Sequence, residues 1–522
     1  METPLTPLEF LRRARKLYGS REAVVDGNVR LTYAQFSERC NRWSCALAQQ
    51  LGVRPGDRVA TLAPNMHQHL EQFYAIPQTG AVIVPLNYRL SAEDFVYLTN
   101  HSGSKVLCVH PDYRAVIDGV RSRMTSVEHF VVLEGPGSEG WLAYNQLLET
   151  SGTDPECPAT RESDLISINY TSGTTSRPKG VMITHRNAWM NSVGTLTHLP
   201  MTPADRYLWT LPMFHANGWT YTWTVTAAGG THVCLRQVDV AKIYRLVADE
   251  RITMLSAAPT VLIAIANGPE DDRSRLPKSV RVVTAGAPPA AATIERLEGE
   301  LGWDVTQVYG LTETAPFISI CEPLPEHARN TGPERARIKA RQGVEMITSG
   351  ELRVVDTEMN DVPADGTTLG EIVARGNVVM QGYYNDPEAT AEAFRGGYFH
   401  TGDAAVLHPD GYVEIRDRYK DVIISGGENI SSIEVEGAIL RHPAVLEVAV
   451  VGVPHEKWGE TPHAFVVLRP NQSVTADELQ EFARGRLAHF KVPSAYTIIP
   501  ELPKTATGKI QKFVLRAGRP GC

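Results

Sequence analysis

The sequence predicts an α/β protein with a large N-terminal domain and a small α+β domain after it. Three observations carry that reading. The chain has 522 residues, beyond the ~250–300 at which a single hydrophobic core stops growing. Up to about residue 400, short apolar runs alternate with amphipathic stretches, the pattern of layered α/β proteins. After Asp403 the pattern changes to a charged connector followed by a compact strand–helix alternation, and about 100 residues suffice for a small independent domain.

The elements follow in order. Val59–Leu62, Ala81–Leu86, Val106–Val109 and Arg281–Thr284 read as buried strands, with helices expected over Tyr33–Leu51 and Val240–Arg251. The segments 134–140 and 150–162 read as loops. Tyr412–Ile415 reads as a strand and Arg416–Asp421 as the connector. Ser431 and Glu434 have capping-box spacing, which opens a helix through about Arg441. Val445–Val453 reads as a strand, and Thr475 with Glu478 caps a second helix.

Composition excludes several classes. Hydrophobic residues make up 43% and charged residues 21%, ordinary for a globular protein. The net charge of −8 gives no reason to expect nucleic acid or an anionic membrane as partner. Seven cysteines without a C-x-x-C pair read as reduced thiols. No apolar run reaches the ~18 residues of a membrane span, the N-terminus lacks a secretion signal, and the tail carries no peroxisomal or prenylation address. The expectation is a cytoplasmic protein.

The most informative stretch is Tyr170–Gly180, YTSGTTSRPKG. Most hydroxyl-rich stretches are surface turns. Here Thr171, Ser172, Gly173, Thr174, Thr175 and Lys179 follow an apolar run, and their amides, hydroxyls and ammonium can converge on a polyphosphate. The spacing fails the usual P-loop, because Gly180 stands where Ser or Thr should follow the lysine. Further on come Pro212–His215, Tyr309–Glu313, Thr401–Asp403, Asp417–Asp421 and Pro503–Lys509. In that order the six segments resemble the signatures of the adenylate-forming (AMP-binding) superfamily, in its acyl-CoA synthetase or fatty-acid–CoA ligase branch.

The resemblance implies an N-terminal domain of several subdomains over residues 1–417, a hinge at 418–420 pivoting on Lys420, and a mobile lid over 421–522. It also implies ATP, Mg²⁺ and CoA as cofactor and co-substrates. Tyr309 would lie against adenine, beside Gly286 and Ala287, whose small size admits a close approach. Asp403 and Arg418 would hold the ribose, Thr312 the α-phosphate, and Glu313 the Mg²⁺. Lys509 would bridge carboxylate and α-phosphate and stabilise the transition state. Gly426 and Gly427 would swing toward the CoA channel. His215, Asn217, Gly218 and Trp219 would wall the acyl pocket. If several rings among Trp219, Tyr221 and Trp223 face that pocket, the acid is a short- to medium-chain or compact aryl one. Lys504 and Lys512 read as surface charges.

Each residue alone has a blander reading: a core tyrosine, a solvated glutamate, a charged linker, an inert tail lysine. The leading function is therefore an acid–CoA ligase working through an acyl-adenylate. A free-standing enzyme loading a carrier protein, an oxidative luciferase-type enzyme and a non-catalytic acyl or nucleotide sensor stand as alternatives. The sequence leaves a homodimer open.

Overall fold

A computed structural model describes the chain except residues 1, 159, 172–176, 270–272, 288, 290, 427, 505–509 and 518–522. Two large sheets carry the N-terminal domain. The first has nine strands, centred on the parallel run Arg206–Trp209, Met254–Ala257, Arg281–Thr284 and Asp304–Gly310. These strands are largely buried because both of their faces are covered. The second sheet has eight strands. Towards one edge it carries the antiparallel hairpin Leu165–Thr171 and Lys179–Thr184, flanked by the short strand Gly382–Tyr383.

One core joins the two sheets. Val24, Tyr207, Val283 and Val308 come from the first, and Val59, Ile83, Val106 and Val181 from the second. The helices Tyr33–Cys45, His67–Gln78 and Tyr221–Ala228 supply Phe36, Trp43, Phe73, Tyr74, Tyr221 and Trp223 to it. A third sheet of four strands ends on the antiparallel pair Phe399–Leu407 and Val413–Arg418, whose register sets Asp403 opposite Arg418.

The C-terminal elements have their own apolar clusters, drawn from residues 423–515. Their sheet contains Val445–His455 and Gly459–Leu468. The helix Ser432–Ile439 starts where Ser431 Oγ accepts the Glu434 N–H at 3.1 Å. The helix Ala476–Arg484 opens on a reciprocal Thr475–Glu478 capping box.

Three expectations are corrected. The helix from Tyr33 is α-helical only to Cys45 and continues as a π-helical turn over Ala46–Gln50. The charged connector is shorter than its composition suggests. Ladder pairing of Asp417 with Ala404 and of Arg418 with Asp403 keeps the chain extended to Arg418, leaving Tyr419–Asp421 as a 3₁₀ turn. Lys512 is no surface charge: its side chain is only 13% exposed and its Nζ lies 2.7 Å from Glu436 Oε1. Its partner is distant in sequence, so charge patterning could not reveal it. Among the described residues no helix is long and apolar enough to cross a membrane.

Buried histidines tie the fold to pH. His232 Nδ1 accepts the Trp209 Nε1–H at 3.2 Å, which leaves Nε2–H to donate to Thr226 Oγ1 at 3.0 Å. A second proton on Nδ1 would set donor against donor. Burial holds His232 down at about 3 and His69 and His185 at about 4. Unfolded histidine protonates near ~6.5, so these groups contribute stability above that pH and lose it as the pH falls towards their folded values. We predict that stability declines between about pH 6.5 and 4, by up to ~1.4 kcal/mol per pH unit for each histidine. Denaturation midpoints across that range check this, and His232→Gln should flatten the slope; an unchanged slope contradicts it.

Candidate active site

Ligands of open parallel sheets bind beyond the carboxyl ends of the strands, and several expected residues stand there. Gly286, just past Arg281–Thr284, has φ +88°, and a Cβ on it would lie 3.9 Å from Trp219 Cζ2. Gly286 and Ala287 are exposed. Tyr309, near the end of Asp304–Gly310, donates its hydroxyl to Asp403 Oδ2 at 2.7 Å. The other Asp403 oxygen lies 2.8 Å from Arg418 Nε, and Arg418 Nη1 donates to the Thr401 carbonyl at 3.0 Å.

Burial, reinforced by the Asp403 charge, holds the Tyr309 phenol well above its ordinary pKa, so it stays a donor. A carboxylate oxygen has two acceptor positions; Asp403 can therefore keep both protein contacts and still accept two ribose hydroxyls. Next to Tyr309 the chain turns tightly back, and a Cβ on Gly310 would overlap the Pro316 carbonyl.

A second cluster lies at the hairpin. Thr171 and Lys179 face each other at its neck; Ser172, Gly173, Thr174 and Thr175 lie outside the described residues. Lys179 Nζ stands 4.9 Å from the centre of the Tyr383 ring, whose hydroxyl donates to Glu313 Oε1 at 3.0 Å. Glu313 is 9% exposed. Burial pushes its carboxyl above the ordinary range, and the Tyr383 bond and the Arg418 charge only partly oppose this. A buried carboxylate of raised pKa fits a Mg²⁺ site, since the ion is commonly held by one or two carboxylates and substrate phosphates. Thr312, half-buried, opens the 3₁₀ turn Thr312–Thr314 that carries Glu313.

The acyl segment has an unusual backbone. Ala216, Asn217, Gly218, Trp219 and Thr220 all have φ between +44° and +65°, a left-handed turn that costs ~1–2 kcal/mol per non-glycine residue. Buried hydrogen bonds hold it. Asn217 accepts from Asn169 Nδ2 at 3.0 Å and donates to Ser167 Oγ at 2.8 Å, while Thr220 Oγ1 and Ser192 Oγ are 2.8 Å apart. Gly218 is required, because a Cβ would sit 2.5 Å from Trp209 Cζ3. Asn65 braces the preceding loop by donating to the Trp209 and Leu211 carbonyls at 2.8 and 2.9 Å and accepting the Met213 N–H at 2.8 Å. His215 caps the turn through its carbonyl, which accepts the Gly218 N–H at 2.9 Å.

Residues 10–384 match the AMP-binding enzyme family, and residues 434–509 match the AMP-binding enzyme C-terminal domain. The chain belongs to the AMP-binding enzyme family. It is 43% identical to an acetate–CoA ligase of Humulus lupulus, with 99% of this chain and 94% of that protein covered. A 4-hydroxybutyrate–CoA ligase of Metallosphaera sedula is 42% identical, with 98% and 94% covered. Among solved structures, an anthranilate CoA ligase in complex with anthranoyl-AMP superposes with a TM-score of 0.90 at 26% identity, covering 99% of this chain and 98% of that one.

Within this AMP-binding enzyme the expected residues form three groups. Tyr309, Asp403 and Arg418 are in direct contact; Lys179 and Glu313 meet through Tyr383; Trp219 stands by Gly286. Asn217 is buried and wholly engaged in anchoring its own turn. Tyr221 stacks on Tyr207, with ring centres 4.5 Å apart, and Trp223 packs edge-on to Phe73, so both are core residues. In the C-terminal domain, Gly426 donates its N–H to the Trp458 carbonyl at 2.8 Å; before it, Lys420 lies in the Tyr419–Asp421 turn. Gly427 and Lys509 lie outside the described residues. Tyr383, Asn65 and Asn169 went unrecognised in the sequence, where a lone tyrosine or asparagine carries no spacing signal.

Glu313→Gln separates stability from function. The folded carboxyl lies above its unfolded value of ~4.3, so its contribution is present below that pH and lost as the pH rises through the folded value. At neutral pH the substitution removes the burial penalty and should raise the melting temperature by about a few degrees. Adenylation should fall ~10²-fold or more. Thermal melts and pyrophosphate release check this; a lowered melting temperature contradicts the assigned burial penalty.

Proposed function

We propose that this chain is an AMP-forming acid–CoA ligase for short- to medium-chain or compact aryl acids. The observation that carries the reading is the pairing of two clusters. Tyr309, Asp403 and Arg418 suit adenosine, and Lys179, Tyr383 and Glu313 suit a magnesium triphosphate. In the first step a carboxylate oxygen of the acid attacks the α-phosphorus of ATP and pyrophosphate leaves, giving the acyl-adenylate. In the second the CoA sulfur attacks the acyl carbon, loses its proton, and AMP leaves.

The residue roles follow from charge and position. Asp403 accepts the ribose hydroxyls while Arg418 keeps its carboxylate oriented. Lys179, with Thr171, Ser172, Gly173, Thr174 and Thr175, holds the β- and γ-phosphates. Mg²⁺ on Glu313 would neutralise charge on the departing pyrophosphate. Thr312 donates to the α-phosphate, and Lys509 stabilises the charge that develops there. The hinge falls at 418–420, between the N-terminal domain (1–417) and the lid (421–522). Lid rotation exchanges Lys509 for the Gly426–Gly427 loop. Free cysteines among the described residues support a reducing, cytoplasmic location.

Pocket length rests on Trp219. It stands beside Gly286 and edge-on to Phe317, with ring centres 5.8 Å apart. The named substrates of the relatives, acetate, 4-hydroxybutyrate and 2-methylpropanoate, support a short pocket. Each added methylene then changes binding by ~1–3 kcal/mol. The test measures kcat/KM for straight-chain acids of increasing length, benzoate and palmitate, with and without CoA, and identifies the thioester by mass. We expect an optimum at short to medium length and a poor rate with palmitate. A steady rise to palmitate contradicts the pocket; pyrophosphate release without any thioester contradicts the ligase.

A further inference from the structure

The tail that follows Lys509 is tied to the strand of Arg418 by a buried ionic relay. Lys504 and Ile510 form a β-bridge, and the Gln511 N–H bonds the Pro503 carbonyl at 2.8 Å, so the two ends flanking 505–509 are pinned together. Three residues after Lys509 comes Lys512, whose Nζ lies 2.7 Å from Glu436 Oε1 and also donates to Ser432 Oγ. Ser432 in turn donates its N–H and its hydroxyl to Asp417 Oδ2 at 2.8 and 2.5 Å. The remaining Asp417 oxygen accepts the Arg418 N–H at 2.8 Å. Ser432 and Asp417 are 0% and 2% exposed. Arg516, one turn further along the tail helix, pairs with Asp421 at 2.6 Å.

The chemistry of the relay is complete. Ser432 has one hydroxyl proton, given to Asp417, and a free lone pair, given to the ammonium. Burial alone would strip the Lys512 proton, but the charges of Glu436 and Asp417 outweigh it and hold the group above its ordinary value. Asp417 precedes the hinge, whereas Ser432, Glu436 and Lys512 follow it, so the relay crosses the pivot. Rotation about Lys420 would pull Ser432 from Asp417.

We propose that Lys512 is a positioning residue for adenylation, fixing the tail from Ile510 onward against the Arg418 strand through Glu436, Ser432 and Asp417, and acting through Lys509 just before it. This rests on the ligase reading above. A relay of this kind acts only through the lysine it places. Displacing a catalytic group by ~1 Å can cost ~10²-fold.

The experiment uses the full chain with Lys512→Met, Lys512→Arg, Glu436→Gln, Lys509→Ala and the Lys512→Met/Lys509→Ala double variant. Adenylation is read as pyrophosphate release, thioester formation from supplied acyl-adenylate and CoA, and amide hydrogen exchange at Arg418 and Ser432. Lys512→Met should lower the adenylation kcat by ~10–10²-fold with little change in thioester formation, and Lys512→Arg should restore part of it. The double variant should be no slower than Lys509→Ala alone. Glu436→Gln, which keeps the packing, should act in the same direction. The Arg418 and Ser432 amides should exchange faster in Lys512→Met, a readout independent of turnover. Equal loss in both half-reactions, multiplicative losses in the double variant, or unchanged exchange would overturn the proposal. Absence of pyrophosphate release from the unaltered chain would instead count against the ligase reading.

Discussion

The Asp403 carboxylate is the contact on which the rest of the site depends. It is buried, it takes the Tyr309 hydroxyl on one oxygen and the Arg418 guanidinium on the other, and its strand register places Arg418 directly opposite. A buried charge left unpaired costs several kcal/mol, so the Asp403 carboxylate depends on Arg418 and the Tyr309 hydroxyl for its place there. The contact also joins separate parts of the chain. Tyr309 belongs to the nine-stranded sheet, Asp403 to the four-stranded one, and Arg418 to the last strand before the C-terminal domain. The end of the Tyr309 strand and the chain leading into the C-terminal domain are thus joined through one side chain.

The second constraint is the left-handed turn at Ala216–Thr220. Its strain persists because the surroundings over-determine it: Asn217 is locked to the strand Leu165–Thr171, Gly218 fits under Trp209, and Trp209 is held by His232. The Ala216–Thr220 turn and the Leu165–Thr184 hairpin therefore share a scaffold. A substitution in the buried Ser167–Asn169–Asn217 network would disturb both, although none of the three faces open solvent.

Much of this was legible in the sequence, and what was missed has a common cause. Local signals read correctly: Arg281–Thr284 is a strand and Thr475–Glu478 a capping box, because short apolar runs and capping depend on neighbours in the chain. The cluster of Tyr309, Asp403 and Arg418 could be expected from motif order, but no motif shows that Tyr309 bonds Asp403 directly. Tyr383 and Asn65 were invisible because their roles come from partners far along the chain. Lys512 was misread for the same reason, its neutralising partner Glu436 lying in another element. Tyr221 and Trp223 could be recognised as bulky but not assigned a direction, since facing depends on where the left-handed turn ends.

The coupling through Asp403 can be measured directly by a double-mutant cycle on ATP affinity. Tyr309→Phe removes one hydrogen bond to the carboxylate, and Arg418→Lys puts a methylene where the Nε donor of the other stands, each with little change in volume. If Asp403 is the shared anchor, the two losses are non-additive by about 1 kcal/mol or more, within the range found for residues in one network. Additivity to within ~0.3–0.5 kcal/mol, as for independent sites, would contradict the account.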